Sequence, residues 1–97
     1  MSHEIAYDFI NEEISQLRCK PYADLVERIG NPEHKDLLAH DGNRYQLEIE
    51  VFWNSRKGGD IRVMVCADGG GVSAFVPVCD DFVMTPGGSF VGKSNLL

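Results

Sequence analysis

Between Tyr45 and Trp53 the chain reads YQLEIEVFW, so Tyr45, Leu47, Ile49, Val51 and Trp53 alternate with Gln46, Glu48, Glu50 and Phe52. Successive side chains of a strand leave on opposite sides, and this period of two therefore marks a long strand with one apolar face. The alternation returns in Ile61, Val63, Val65 and Ala67 against Arg62, Met64, Cys66 and Asp68. It returns again in Val72, Ala74, Val76 and Val78 against Ser73, Phe75, Pro77 and Cys79. Strands are expected at about 44–54, 60–68 and 71–79, with a weaker one at 35–40.

Paired residues in an antiparallel ladder share a side, so the turns can be tested against the faces. A Gly69-Gly70 turn pairs Ala67 with Val72, Val65 with Ala74, Val63 with Val76 and Ile61 with Val78, apolar to apolar throughout. A turn at Arg56-Lys57-Gly58, with Gly58 left-handed, pairs Val51 with Val63 and Ile49 with Val65, and a turn one step on at Lys57-Gly58-Gly59 keeps the same faces. A three-residue Asp41-Gly42-Asn43 loop puts Leu37 beside Leu47, with other registers open. Trp53, Val51 and Ile49 are expected to anchor the core.

Ahead of Pro32 the period is that of a helix. Ala6, Ile10, Ile14 and Leu17 trace one stripe of a helix over about 3–18, with Ser2 as N-cap. Pro21 opens a second helix over 21–29, in which Tyr22, Leu25, Val26 and Ile29 share a face and Gly30 supplies the exit. The expected fold is α+β, with two N-terminal helices packed on one face of a four-stranded antiparallel β-meander. Residues 80–97 read as an irregular C-terminal segment, in which the short apolar runs Phe82-Val83-Met84 and Phe90-Val91 around the Pro86-Gly87-Gly88 turn form either a small edge hairpin or an ordered loop.

The 97 residues form one domain, with nine Lys and Arg against fifteen Asp and Glu and a net charge of −6. An acidic chain with scattered cations does not suit nucleic acid, whose phosphates need a concentrated basic face. No apolar run is long enough for a membrane span, and the start MSHEIAYDF lacks the pattern of a signal peptide. Cys19, Cys66 and Cys79 show no C-x-x-C spacing, which reads as free thiols in a reduced, cytoplasmic setting.

Several patterns invite a chemical role. Gly87 to Ser94 fits G-x-x-x-x-G-K-[ST], but only Asn95, Leu96 and Leu97 follow, whereas a phosphate-cradling loop needs a helix after it. The match is read as accidental. Asp68-Gly-Gly-Gly71 resembles an anion nest and is better explained as a hairpin turn. His34 and His40 share a face if their strand is regular, yet no ligand spacing joins them to Cys66 and Cys79, so no metal or cofactor is expected. Cys19, between Arg18 and Lys20 and ahead of the Pro21 helix, is the most plausible reactive thiol, though no histidine is placed as its base. Glu48 and Glu50 share a face with Arg62, and either could pair with it. No catalytic residue is assigned.

The face opposite the valine stripe is unusual for one that meets only water. It carries Phe52, Met64, Cys66, Phe75 and Cys79 among Glu48, Glu50, Arg62 and Ser73, with Met64 opposite Phe75 in the expected register. An interaction patch of Phe52, Met64, Cys66 and Phe75 would be covered by residues 80–91, a second copy, another protein or a ligand.

The run DGNRYQLEIEVFWNSRKGGDIRVMV, with AFVPVCDDFV and GGSFVG, resembles a family of small uncharacterised bacterial proteins over about Pro21 to Gly92. The resemblance implies a bacterial cytoplasmic α+β domain and brings no catalytic residue with it. A helix on an antiparallel meander also looks like a cystatin-like arrangement, an analogy of fold alone. The expected function is a non-enzymatic protein-interaction or self-associating module, a homodimer or one bound to another protein. The alternative is a small-molecule binding protein or minor enzyme using the face near Phe52, Met64 and Phe75.

If the Gly87–Ser94 match is inert, ATP and GTP with Mg²⁺ will show no saturable calorimetric binding below about 1 mM. Tighter binding that Lys93→Ala abolishes would overturn that reading.

Overall fold

The computed structural model describes residues 3–69 and 77–92. Among the described residues it is an α+β arrangement of two short helices and one five-stranded antiparallel sheet, with the strands in sequence order across the sheet. The elements are α1 (His3–Arg18), α2 (Tyr22–Val26), β1 (Glu33–Leu38), β2 (Arg44–Trp53), β3 (Ile61–Asp68), β4 (Val78–Met84) and β5 (Phe90–Val91). The fifth strand exceeds the four expected.

The stripe Ala6, Ile10, Ile14 and Leu17 is buried along α1, as its steps of four, four and three require. Glu4 in the first turn and Arg18 in the last complement the helix dipole, and the expected Ser2 cap lies outside the described residues. The last turn tightens through donation from Cys19 N–H to the Gln16 carbonyl and from Lys20 N–H to that of Leu17. Pro21 is the extended N-cap of α2 and not its first helical residue; its carbonyl accepts from the N–H groups of Asp24 and Leu25. The second helix stops at Val26, short of the expected Ile29, and turns lead on to Gly30. Tyr22 Oη donates to the Gly59 carbonyl at 2.6 Å, tying α2 to the β2–β3 loop.

One buried cluster joins the α1 stripe and Leu25 to Tyr45, Leu47, Ile49 and Val51 of β2 and to Ile61, Val63, Val65 and Ala67 of β3. Phe82 and Met84 of β4 belong to it as well. Every odd residue of β3 up to Ala67 is fully buried, the result that period-two alternation demands. Trp53, expected as an anchor, is only half-buried and packs against the rim of this cluster. The central aromatic is Tyr45, 1% exposed, with the Phe9 ring tilted against it at 5.6 Å. Trp53 ends β2, where the chain turns away, whereas Tyr45 lies beneath α1.

The β2–β3 register pairs Val51 with Val63 and Ile49 with Val65, as the faces require, and Gly58 is left-handed with φ 84°. The first hairpin differs from expectation. β1 runs from Glu33 to Leu38, not from Lys35 to His40, and Leu37 faces Tyr45, not Leu47. The loop is His40-Asp41-Gly42, closed by Ala39 N–H donating to the Asn43 carbonyl. Gly42, at φ 87°, takes the left-handed last position of such a loop, which glycine adopts without strain. The Asn43 N–H donates to Asp41 Oδ1 at 2.9 Å, and this bond holds the Asp41 carboxyl below the usual carboxylate range.

The largest correction concerns the partner of β3. That partner is Val78–Met84, paired Ala67 with Val78, Val65 with Asp80, Val63 with Phe82 and Ile61 with Met84. The register expected from a Gly69-Gly70 turn, with Ile61 opposite Val78, is therefore not the one formed. Gly70, Val72, Ala74, Phe75 and Val76 lie outside the described residues. Residues 80–91, expected to be irregular, supply most of β4 and all of β5. The two strands are joined by Pro86-Gly87-Gly88, with Gly88 at φ 90°. Phe82 and Met84 fill more space beneath α1 than Val76 and Val78 would, which favours this pairing.

Truncation of the buried Phe82 to alanine should cost about 3 to 5 kcal/mol, and truncation of the half-buried Trp53 should cost less. Urea unfolding followed by circular dichroism gives both values. A larger cost at Trp53 than at Phe82 would contradict the observed β3–β4 register.

Candidate interaction face

The even residues of β1, β2 and β3 and the odd residues of β4 point away from the helices. Their cross-strand rows follow from the registers. One row is His34, Glu48, Cys66 and Cys79; the next is Glu50, Met64 and Asp81; the third is Phe52, Arg62, Val83 and Val91. Three of the four residues expected to form the interaction patch, Phe52, Met64 and Cys66, lie together on this face. Phe75, the fourth, lies outside the described residues, and Met64 stands opposite Asp81 instead.

Phe52, Met64 and Cys66 are half-buried, Val83 is 8% exposed, and Val91 is 41% exposed. Arg62 pairs neither with Glu48 nor with Glu50. Its Nη1 donates to Asp81 Oδ2 and its Nε donates to Asn54 Oδ1 at 3.1 Å, fixing the guanidinium across the third row. Glu48 lies 3.7 Å from His34 Nε2, and Glu50 makes no ion pair with any described residue. A hollow of about 280 Å³ beside Arg62 is lined by Asn54, Asp81, Val83 and Val91.

Cys66 and Cys79 stand directly opposite each other, 4.0 Å apart at Cα, and are joined by a disulfide. This corrects the expectation of three free thiols. The β3–β4 ladder brings the two sulfurs together from positions 13 residues apart, and the expected register separated them. Asp81, Val83, Val91 and Asn54 are the face residues missed from the sequence. Moving β4 six residues along the chain finds the first two, and the Cys66–Cys79 match is the signal for doing so.

The remaining candidates fall elsewhere. Cys19 is a free, exposed thiol in the turn after α1, apart from the sheet's open face. His34 belongs to β1, whereas His40 lies in the first hairpin loop, so the two do not share a strand face. No group of three or more metal-ligating side chains occurs among the described residues. Gly87 to Val91 form a hairpin turn and strand, while Lys93 and Ser94 lie outside the described residues. No helix among the described residues is long and apolar enough to cross a membrane. At the other side of β4 the Arg18 guanidinium stacks 4.2 Å from the Phe90 ring centre, capping the end of α1 against the β4–β5 hairpin.

A disulfide closing so short a loop restricts the unfolded chain and should contribute about 3 kcal/mol. Cys79→Ser and dithiothreitol treatment of the wild type should lower the unfolding midpoint alike, with no further effect of dithiothreitol on the variant. An unchanged wild-type midpoint under reduction would show that the bond does not contribute. No family model matches the chain, and neither a curated protein nor a solved structure matches it.

Proposed function

We propose that the protein is a non-enzymatic interaction module that works through the open face of its sheet. The observation that carries this reading is the set Phe52, Met64, Cys66 and Val91 on the side away from the helices, where a sheet meeting only water would be polar. With α1 and α2 over the valine-rich side, neither helix is available to cover the other. The likeness of Pro21–Gly92 to small uncharacterised bacterial proteins belongs to the same proposal.

A small-molecule reading would use the hollow beside Arg62. It is the weaker one, because Asp81 and Asn54 already engage that guanidinium and the walls are shallow.

A photo-crosslinking side chain placed at Glu50, amid the face, should give a discrete adduct on irradiation in cells of the source organism. The same group at Glu12, exposed on α1, should give none. The mass of the adduct separates a second copy from a different protein. Absence of any adduct at position 50 would overturn the proposal.

A further inference from the structure

We infer that the partner of this face is a cationic protein segment, extended, with an apolar anchor side chain followed by basic side chains at alternate positions. The inference rests on the interaction reading above and names the chemistry of its partner. The open face carries Asp36, Glu48, Glu50, Asp68 and Asp81 against Arg44 and Arg62, five carboxylates to two guanidiniums, a balance of −3 with His34 neutral. Arg62 pairs with Asp81, and the two charges cancel within that balance. A second copy set face to face would bring two such acidic surfaces within a Debye length of about 10 Å, where like charges repel.

The rows also give a spacing. The apolar positions Phe52, Val83 and Val91 lie in one row, with Val83 and Val91 lining the hollow, and Glu50 and Glu48 follow Phe52 along β2. Two residues of strand span about 7 Å, which places the two carboxylates about 7 and 14 Å from the Phe52 row. An extended partner has the same period. An apolar side chain set against Phe52 therefore carries basic side chains over Glu50 and Glu48 when they stand two and four positions away. Glu50 makes no ion pair with any described residue and is free to accept such a contact.

The probe is a fluorescein-labelled peptide of serines, with leucine near its start and lysine two and four positions beyond it. Its counterpart has glutamate in place of lysine. Fluorescence anisotropy at low salt should show saturable binding of the lysine peptide alone, weakening as salt is raised. Glu48→Lys with Glu50→Lys should reduce the affinity at least about tenfold. Asp8→Lys with Glu12→Lys, an equal charge change on exposed α1 positions, should leave it within about twofold. Equal losses in the two double variants would reduce the effect to net charge and overturn the inference. So would equal binding of the glutamate peptide, or no saturation by about 1 mM. A position-50 adduct identified as a second copy would also overturn it while leaving the interaction reading intact; no adduct at all would end both.

Discussion

β3 is hydrogen-bonded on both edges along nearly its whole length, and the rest of the chain is arranged around that constraint. A strand paired on both sides cannot shift its register without breaking two ladders. Its odd residues face the helices and its even residues face outward. From Ile61 to Ala67 this fixes a dry side, and the stripe of α1 closes over it. Removing apolar area on this scale from water is the main source of stability available to a domain of this size. The same constraint delivers Met64 and Cys66 to the opposite surface. The candidate face is thus a consequence of how the core is made.

The charged groups around this frame contribute less. Lys35 reaches Glu13 across the β1 side of the core at 2.9 Å, and Arg28 reaches Glu33 at 2.8 Å. Partly exposed pairs of this type are worth about 0 to 1 kcal/mol each, so they orient β1 and the chain before it without holding the fold. The Tyr22 bond to the Gly59 carbonyl acts similarly for α2, which is too short to be stable alone.

How much could be read from the sequence depended on whether a local pattern had a single solution. β2 and β3 were legible because strict alternation fixes their faces whether the turn is Arg56-Lys57-Gly58 or Lys57-Gly58-Gly59, and the first of these gives the register observed. α1 was legible from its stripe. β4 was not, because a shift by six residues keeps every face. Val72, Ala74, Val76 and Val78 satisfy the alternation as well as Val78, Asp80, Phe82 and Met84 do. Asp80 on the helix side even makes the observed strand look the poorer choice. Facial parity cannot separate the two; side-chain volume beneath α1 and the apposition of Cys66 with Cys79 can. The interaction face inherits the same division. Phe52, Met64 and Cys66 were found with β2 and β3, while Asp81 and Val83 went unseen with β4.

The α1 stripe packs into a cluster that is completed only by Phe82 and Met84, far along the chain. Met84 follows Ile14 by 70 positions. At a synthesis rate of about 5 to 20 residues per second, the ribosome takes about 4 to 14 s to add them. Throughout that interval Ala6, Ile10, Ile14 and Leu17 have no complete surface to dock on. The strands meet neighbours in order and can pair as they emerge, whereas the helix made first is the element seated last. A nascent chain of this protein therefore carries the apolar stripe of α1 for seconds without the surface that buries it in the finished fold.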